Sequence, residues 1–393
     1  PKRMYRVQTL NNISVAGLKR LPRGDYEVAS ALSDPHGILV RSHKMHDMEI
    51  PDSLEAVGRA GAGTNNIPID ALSDLGVPVF NAPGANANAV KELVFAGALM
   101  AARNIQPALA YVAALEGDAA TVSRAVEAGK KQYAGFELPG KTLGVIGLGA
   151  IGVEVCNTAL ALGMQVMGFD PHMTVRRAWQ LSAGVEEASS IEQLLSAVDI
   201  LTVHVPLSDT TRHLLNEERL GLMKPDSVLI NLARGGIVDD AAVMSALDAD
   251  KLHAYVTDFP GPETIGHPKI IGYPHLGAST GEAEDNCAVM VADTLKDYLE
   301  NGNIRHSVNF PDAKLPRVGE SWRVSIANRN VPNMVGQIST IIAENDRNII
   351  DLLNKSRGEV AYTIIDLDAP LGDDALAAMR GIDGVLRVRV PGA

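Results

Sequence analysis

The chain has 393 residues, of which 46% are hydrophobic and 21% charged, and its net charge is −12. This length allows two or three domains, and the acidic balance argues against general binding to nucleic acid or to a membrane surface. Cys156 and Cys287 have no metal-ligand spacing, so we expect no metal site, reduced thiols and a cytoplasmic location. We see no signal peptide and no apolar run of about 20 residues, as a membrane span requires.

Short apolar runs alternate with helical stretches over residues 5–90, which predicts an α/β domain with a parallel sheet. Residues 89–129 predict long apolar helices, buried all round at a subunit interface. A second alternation starts at Lys141 and predicts a Rossmann-like domain. We expect the amphipathic helix over 281–300 to return to the first domain.

Two prolines interrupt the pattern over residues 310–320, where we predict a linker. The remaining segment has the order βαββαβ, which is typical of a ferredoxin-like fold. Its first helix places Met334, Ile338, Ile341 and Ile342 on one face. The predicted fold class is α/β, with two Rossmann-like or flavodoxin-like parallel-sheet domains flanking a cleft and a C-terminal ferredoxin-like domain. We predict a substrate-binding domain over residues 1–88 and 280–312 and a dinucleotide-binding domain over residues 89–279. The predicted regulatory domain comprises residues 319–393.

A glycine-rich turn follows an apolar strand at residues 147–152 and opens a helix. In this context GxGxxG predicts a dinucleotide site, in which the helix N-terminus receives the pyrophosphate. Asp170 ends the next strand and would accept hydrogen bonds from the ribose hydroxyls, which favours NAD over NADP. The alternative is a glycine turn in an unrelated α/β domain. The turn residues that we expect to contact the cofactor are Gly147, Gly149, Ala150, Ile151 and Gly152.

Three polar residues follow apolar segments next to Gly or Pro, namely Arg234 in NLARGG, Glu263 in DFPGPE and His275 in YPHLGAST. An arginine fork fits a carboxylate and stays protonated, and an imidazole exchanges protons near neutral pH. We therefore expect Arg234 to hold an acid substrate, His275 to take its hydroxyl proton and Glu263 to orient His275 as catalytic partner. The alternatives are a solvated surface arginine or glutamate and a hydrogen-bonded core histidine.

The segments VIGLGAIG, HVPL, NLARGG and PHLGAST, in this order, resemble the D-isomer-specific 2-hydroxyacid dehydrogenases. The terminal segment, with RVSIANRNVPNMVG and SRGEVAY, is similar to an ACT regulatory domain. The family's catalytic arginine, glutamate and histidine fall on Arg234, Glu263 and His275, although DFPGPETIGHP departs from the family's commoner loop. The resemblance also implies six further cofactor contacts, with Asp258 at the nicotinamide carboxamide. They are His204, Val205, Pro206, Thr210, Ala233 and Asp258.

The expected substrate contacts lie earlier in the chain. In GRAGAGTNN, the backbone N–H groups of Ala62 and Gly63 would face a carboxylate. Arg41 and Arg59 match arginines that bind a phosphate in the family, with surface salt bridges as the alternative. By the same resemblance Asn86 contacts the substrate. Lys91 stands where the family usually has a small residue, and we expect it to face the cleft, the alternative being pairing with Glu92 or a neighbour.

Asn328, Asn330 and Asn348 fall where ACT domains bind a free amino acid, which implies L-serine as an effector. Asn333 replaces the usual glycine after proline in that turn. The resemblance implies a homodimer or homotetramer that oxidises the phosphorylated 2-hydroxy acid D-3-phosphoglycerate with NAD, on the route to serine. Open alternatives are another D-2-hydroxyacid dehydrogenase of the glycerate, glyoxylate or 2-oxoglutarate type, a purely oligomerising terminal domain, and an NADH-sensing binding protein on the same fold.

Overall fold

The computed structural model describes residues 3–317 and 319–392, which form two compact units. Unit 1 runs to Ala85 and resumes at Glu284, and unit 2 is Asn86–Ala283. Unit 1 contains a five-stranded parallel sheet and a four-stranded antiparallel sheet, and unit 2 contains a seven-stranded parallel sheet. The predicted fold class, with two parallel sheets and a separate C-terminal antiparallel sheet, is therefore confirmed.

The parallel sheet of unit 1 has the strand order β2-β1-β3-β4-β5. Buried Val, Ile and Leu side chains on its strands supply the core beneath the sheet. Its elements are β1 Tyr5–Leu10, α1 Val15–Leu18, β2 Tyr26–Ala29, β3 Gly37–Val40, β4 Ala56–Arg59, α2 Ile69–Asp74 and β5 Val79–Phe80.

Unit 2 begins with three α-helices and a 3₁₀ helix. They are α3 Ala87–Ala102, α4 Ile105–Ala113, α5 Ala119–Gly129 and the 3₁₀ helix Lys130–Tyr133. Helix α3 is largely buried, but α4, all of whose residues are described, buries none. Asn88, Glu92, Ala96 and Leu99 of α3 are exposed, so neither helix is buried all round within this chain, and burial at a subunit interface stays a prediction. Asn104, with φ +49°, separates α3 from α4.

The rest of unit 2 alternates strands with helices, as parallel sheets require. The strand order is β12-β11-β10-β9-β6-β7-β8. The strands are β6 Thr142–Ile146, β7 Gln165–Phe169, β8 Glu186–Glu187, β9 Ile200–Val203, β10 Ser227–Asn231, β11 Leu252–Thr257 and β12 Ile270–Gly272. The helices are α6 Ala150–Ala161, α7 Val175–Gln180, α8 Ile191–Ala197, α9 Glu217–Leu220 and α10 Asp240–Asp248. Every residue of β9 and β10 is buried, because helices cover both faces of such a sheet.

Helix α11, Gly281–Asn301, leads the chain back into unit 1, where Val291 and Leu295 join the core of the first sheet. The segment predicted as a linker, 310–320, is not free. Phe310, Ala313 and Leu315 are buried in that same core, because their apolar side chains gain from leaving water. Val318, within the predicted linker, lies outside the described residues.

The C-terminal domain has the predicted order βαββαβ and the strand order β14-β15-β13-β16. Its elements are β13 Trp322–Arg329, α12 Met334–Glu344, β14 Ile349–Arg357, β15 Val360–Leu367, α13 Asp373–Arg380 and β16 Val385–Arg389. On α12, Met334, Ile338 and Ile342 are buried under the sheet and Ile341 is partly buried, as the periodicity predicts.

The opposite face of this C-terminal sheet packs within unit 1 against the end of α11 and the first sheet. Arg389 is buried and donates to Glu55 and to the backbone oxygens of Tyr298 and Leu299. The Tyr362 hydroxyl donates to the Gly302 carbonyl oxygen at 2.7 Å. The C-terminal domain is thus anchored by buried polar contacts as well as by apolar packing.

No single helix in the described ranges is long and apolar enough to cross a membrane. Helices α3 and α4, which are bent by 66° relative to each other, satisfy the length and composition criteria only as a pair.

Candidate active site

The turn between β6 and α6 admits only glycine at two positions. Gly147 has φ +92°, and a Cβ there would overlap the carbonyl oxygen of His204. A Cβ at Gly152 would overlap the Gly147 carbonyl oxygen, so the third glycine allows the helix to lie close to the strand. The sequence GxGxxG therefore forms the tight strand-to-helix turn that it predicts.

The first turn of α6 offers unfilled hydrogen-bond donors. Gly149 is the N-cap residue and has no capping side chain, and a Cβ there would meet no atom within 4 Å. Ala150 and Ile151 are the first residues of the helix. Because the first N–H groups of a helix lack partners within it, this end fits the pyrophosphate of a dinucleotide.

Asp170 lies beside this turn, directly after β7. Its Oδ2 accepts from the Leu148 backbone N–H and its Oδ1 from that of His172, both at 2.8 Å. These bonds hold the carboxylate in place while its remaining lone pairs can accept from ribose hydroxyls.

The loop after β9 carries the predicted residues His204, Val205, Pro206 and Thr210. The His204 Nε2 lies 2.9 Å from the Thr202 hydroxyl, whereas its Nδ1 is enclosed and has no partner among the described residues. Burial lowers the pKa of His204 to about 4, so the ring is neutral. An enclosed, unpartnered ring nitrogen beside the glycine turn is what a polar cofactor group would satisfy.

Asn231, the last residue of β10, holds the turn that carries Arg234. Its Nδ2 donates to the Arg234 carbonyl oxygen at 2.9 Å, and its Oδ1 accepts from the Ala233 N–H at 3.1 Å. The Arg234 side chain is exposed and donates to the Ala233 carbonyl oxygen. Sequence reasoning did not identify Asn231, although an amide that ends an otherwise apolar strand was a usable signal.

Asp258 likewise holds the turn that carries His275. It is 2% exposed, and its two oxygens accept from the Leu276 and Gly277 backbone N–H groups, both at 2.8 Å. His275 is exposed, has φ +54° and lies with its ring centroid 4.9 Å from that of Phe259. A left-handed histidine costs about 1–3 kcal/mol and persists only where its surroundings impose it, and Asp258 is the group that does so.

The structure does not bring Glu263 and His275 together. No hydrogen bond or ion pair joins their side chains among the described residues. The Thr264 hydroxyl accepts from the Gly261 N–H at 2.9 Å and donates to the Gly261 carbonyl oxygen at 3.0 Å. These two bonds close the loop that carries Glu263. Asp240 is the acidic neighbour of Glu263, and its pKa is raised by burial and then by Glu263. Glu263 therefore lies within electrostatic range of Asp240, the first residue of α10.

His267, the other histidine of this loop, contacts a different helix residue. Its Nε2 lies 3.1 Å from Asp248 Oδ1. His267 is therefore paired with the last residue of α10.

The predicted phosphate-binding arginines are neighbours in unit 1. In the sheet register Leu10 pairs with Val40 and Val40 with Arg59, so Asn11 and Arg41 follow paired residues at the strand ends and Arg59 lies one register position before Arg41. The Arg59 Nε donates to the Arg41 carbonyl oxygen at 3.1 Å. Sequence reasoning identified both arginines but not Asn11.

The predicted carboxylate loop lies next to these arginines in sequence and is held by Asn81. The Asn81 Nδ2 donates to the Ala62 carbonyl oxygen at 2.8 Å. The Arg59 guanidinium packs directly against Gly61, where a Cβ would overlap it. Gly63 follows in the same loop.

Two predicted substrate residues, Asn86 and Lys91, belong to unit 2. Asn86 is the N-cap of α3 and makes no side-chain capping bond. The Lys91 Nζ donates to Asn88 Oδ1 at 2.5 Å and lies 3.9 Å from Glu154 Oε2 on α6. Lys91 is thus paired, though not with Glu92, and a role for it in substrate binding stays a prediction.

The three predicted effector residues differ in accessibility. Asn330 and Asn348 are exposed, whereas Asn328 is 1% exposed and its Oδ1 is enclosed without a partner among the described residues. Asn333 has φ +61°, a conformation that asparagine tolerates. The turn therefore keeps the backbone that a glycine would give it.

The comparisons with known proteins agree with this geometry. The family model described as D-isomer specific 2-hydroxyacid dehydrogenase, NAD binding domain, matches residues 95–277. The chain is 33% identical to the D-3-phosphoglycerate dehydrogenase of Haemophilus influenzae, over 95% of the chain and 90% of that relative. The chain belongs to the D-isomer-specific 2-hydroxyacid dehydrogenase family. It is therefore an oxidoreductase whose cofactor is NAD, and the predicted family, enzyme class and cofactor are confirmed.

Two further relatives carry the same name. The D-3-phosphoglycerate dehydrogenase of Escherichia coli K12 is 32% identical over 93% of this chain and 89% of its own length. That of Methanocaldococcus jannaschii is 34% identical over 88% of this chain, which spans only 66% of that relative.

Solved structures share the fold. The NAD⁺-bound 3-phosphoglycerate dehydrogenase of Entamoeba histolytica matches with a TM-score of 0.60 and 23% identity, over 78% of this chain and 99% of that one. A glyoxylate reductase from Paecilomyes thermophila matches with a TM-score of 0.63 and 24% identity, over 78% and 98%. At these identities the likeness concerns the fold alone.

Proposed function

We propose that this dehydrogenase oxidises D-3-phosphoglycerate to 3-phosphohydroxypyruvate, the first step of L-serine biosynthesis. The observation that carries the proposal is the adjacent pair Arg41 and Arg59 at the carboxyl edge of the first sheet. Two guanidinium groups match the charge of a phosphate, and a 2-hydroxy acid without a distal anion has no use for them. The names of the relatives from Haemophilus influenzae and Escherichia coli support the same substrate.

The cofactor is held by the turn and strand ends of unit 2. The N–H groups at Gly149, Ala150 and Ile151 bind the pyrophosphate, and the Asp170 carboxylate binds the adenosine ribose. Ala233 and Asp258 would contact the nicotinamide end, and His204, Val205, Pro206 and Thr210 would line the remainder. NAD bound by these residues would supply the acceptor for the hydride that leaves C2 of the substrate.

In the proposed mechanism Arg234 binds the substrate carboxylate and polarises the C2 oxygen, because its planar fork stays charged. His275 takes the proton of the C2 hydroxyl as general base. The substrate contacts expected of the Ala62 and Gly63 backbone N–H groups and of the Asn86 amide stay predictions. Asn231 and Asp258 are positioning residues, since they hold the turns that carry the arginine and the histidine.

Glu263 is assigned to His275 as its carboxylate partner in the substrate-bound enzyme. Catalytic hydrogen bonds are often unformed without substrate and tighten only in the complex. The assignment requires the loop that Thr264 closes to bring the Glu263 carboxylate to His275.

We further propose that the C-terminal domain is an ACT domain that binds L-serine and that the enzyme is a homodimer or homotetramer. Asn330 and Asn348 are exposed and offer both donor and acceptor groups to an amino acid. Asn328 is enclosed, so it would support the turn from inside. Isothermal titration with L-serine tests this part, and the absence of both heat and inhibition at millimolar serine contradicts it. The cytoplasmic location stays a prediction.

Removal of the two arginines tests the substrate. Arg41→Gln and Arg59→Gln should each lower kcat/KM for D-3-phosphoglycerate by about tenfold to a hundredfold, the range of one hydrogen bond to a charged group. Activity on D-lactate, which lacks a distal anion, should stay the same. An equal loss on both substrates would mean that the arginines support the fold rather than bind phosphate.

A further inference from the structure

The arginine pair is accompanied by an acidic residue whose position makes it part of the same site. Glu284, in the first turns of α11, forms an ion pair with Arg41 within unit 1. Both side chains are 45% exposed, so a ligand in solution can reach them. Burial raises the pKa of Cys287. Arg59 and Arg41 act to lower this pKa, and Glu284 acts to raise it further. All three charged groups therefore lie within electrostatic range of this thiol.

The backbone that carries Arg41 does not depend on Glu284. The Asn11 side-chain oxygen accepts from the N–H groups of Ser42 and His43, at 3.0 and 2.6 Å. From the other side, the Asn66 Nδ2 donates to the carbonyl oxygens of Arg41 and His43, at 3.2 and 2.8 Å. Because the turn is held by these two amides, the Glu284 carboxylate contributes charge to the site rather than its shape.

The negative charge of Glu284 has the same sign as the phosphate that the site is proposed to bind. Arg41 and Arg59 bring two positive charges, and the Glu284 carboxylate offsets the charge of Arg41. A phosphate dianion at Arg41 would lie close to the Glu284 carboxylate, and like charges at short distance disfavour each other. A ligand without a distal anion meets no such cost.

We propose that Glu284 is a specificity-determining residue that neutralises Arg41 and so limits how tightly the site holds a distal phosphate. The proposal rests on the proposed function, since it takes the arginine pair to be the phosphate subsite. In the enzyme without substrate the Glu284 carboxylate pairs with the Arg41 guanidinium, and the incoming phosphate displaces that carboxylate.

The test replaces the charge and keeps the shape. Glu284→Gln is compared with Glu282→Gln, which removes the same charge from an exposed neighbouring residue of α11. Inorganic phosphate is titrated calorimetrically into the full-length, NAD-bound enzyme. KM is measured in parallel for D-3-phosphoglycerate, for D-2-hydroxyglutarate with its distal carboxylate, and for D-lactate.

In Glu284→Gln the Kd for phosphate and the KM for D-3-phosphoglycerate should fall by about twofold to fivefold, the range of an exposed charge interaction. The KM for D-2-hydroxyglutarate should fall by less, and that for D-lactate should stay unchanged. The gain should disappear at about 1 M salt, where exposed charges are screened. Unchanged or weaker phosphate binding, or an equal gain in Glu282→Gln or with D-lactate, overturns the proposal.

Failure of the proposed function is a separate outcome. If the wild-type enzyme does not oxidise D-3-phosphoglycerate, that function is wrong, and the phosphate titration alone still decides the role of Glu284. Tighter phosphate binding in Glu284→Gln then supports the proposal that Glu284 limits phosphate affinity. Equal phosphate binding in Glu284→Gln and Glu282→Gln overturns that proposal.

Discussion

Replacing Arg389 by methionine should destabilise unit 1 strongly, because it leaves Glu55 buried without its main partner. Arg389 and Glu55 have side chains only 6% and 9% exposed. Losing one partner of a buried pair costs about 3–5 kcal/mol. Arg3, which also pairs with Glu55, remains and reduces the cost to about 2–4 kcal/mol. At roughly 2–4 °C per kcal/mol for a unit of this size, Tm should fall by about 4–16 °C.

Scanning calorimetry and urea unfolding of the full-length protein measure this change, with Arg387→Met as the control. Arg387 lies on the same strand and donates one hydrogen bond, to the Leu75 carbonyl oxygen at 3.0 Å. Its loss should cost less than about 1.5 kcal/mol. The double variant Arg389→Met with Glu55→Gln should recover part of the loss, because the unpaired charge is gone. Equal shifts for Arg389→Met and Arg387→Met would refute this account of how the C-terminal domain is anchored.

The same pair gives a dependence on pH with a definite sign. Burial alone would raise the pKa of Glu55, but Arg389 and Arg3 outweigh it and lower that pKa. A lowered pKa in the folded state adds stability above the ordinary glutamate pKa of about 4.3, and this stability is lost as the pH falls through the folded value. The stability difference between wild type and Arg389→Met should therefore be largest near neutral pH and shrink below about pH 4.

Three further predictions concern the active site. His275→Asn should lower kcat by about a hundredfold to ten thousandfold, the usual contribution of a general base, with NAD binding by fluorescence titration unchanged; a loss below tenfold would exclude this role. Asp258→Asn presents an amide donor to an N–H group, so it should release the His275 loop and lower kcat by about tenfold to a hundredfold, and an unchanged kcat in a variant of unchanged Tm would contradict the positioning role. Asp170→Ser should raise KM for NAD and permit turnover with NADP, since the carboxylate that repels the 2′-phosphate is removed; cofactor-dependent rates that keep the wild-type NAD preference would contradict the assignment.

The parts of the site that follow from local rules could be predicted from the sequence. Gly147 and Gly152 are required by a turn whose shape depends on neighbouring residues only. Arg41 follows β3 and Arg59 ends β4, and parallel strands bring such ends to one edge. For these residues a short motif or a strand end was sufficient information.

The parts that depend on tertiary packing could not be predicted. Asn11 holds a turn some thirty residues later in the chain, which no local pattern encodes. Glu263 keeps its place in the sequence, but no hydrogen bond joins it to His275 among the described residues, and the loop geometry that decides this contact is not encoded in the motif. The two prolines in the predicted linker indicated a break correctly, yet Phe310 and Leu315 anchor that segment in the core.

The central claim, that a distal phosphate selects the substrate, is tested most directly with the wild-type enzyme. The measurement compares NADH production from D-3-phosphoglycerate and from D-glycerate, which differ only in the phosphate. With Arg41 and Arg59 each contributing a charged hydrogen bond, kcat/KM for the phosphorylated acid should be at least about a hundredfold higher. Equal values for the two acids, or a preference for D-glycerate, would contradict the account.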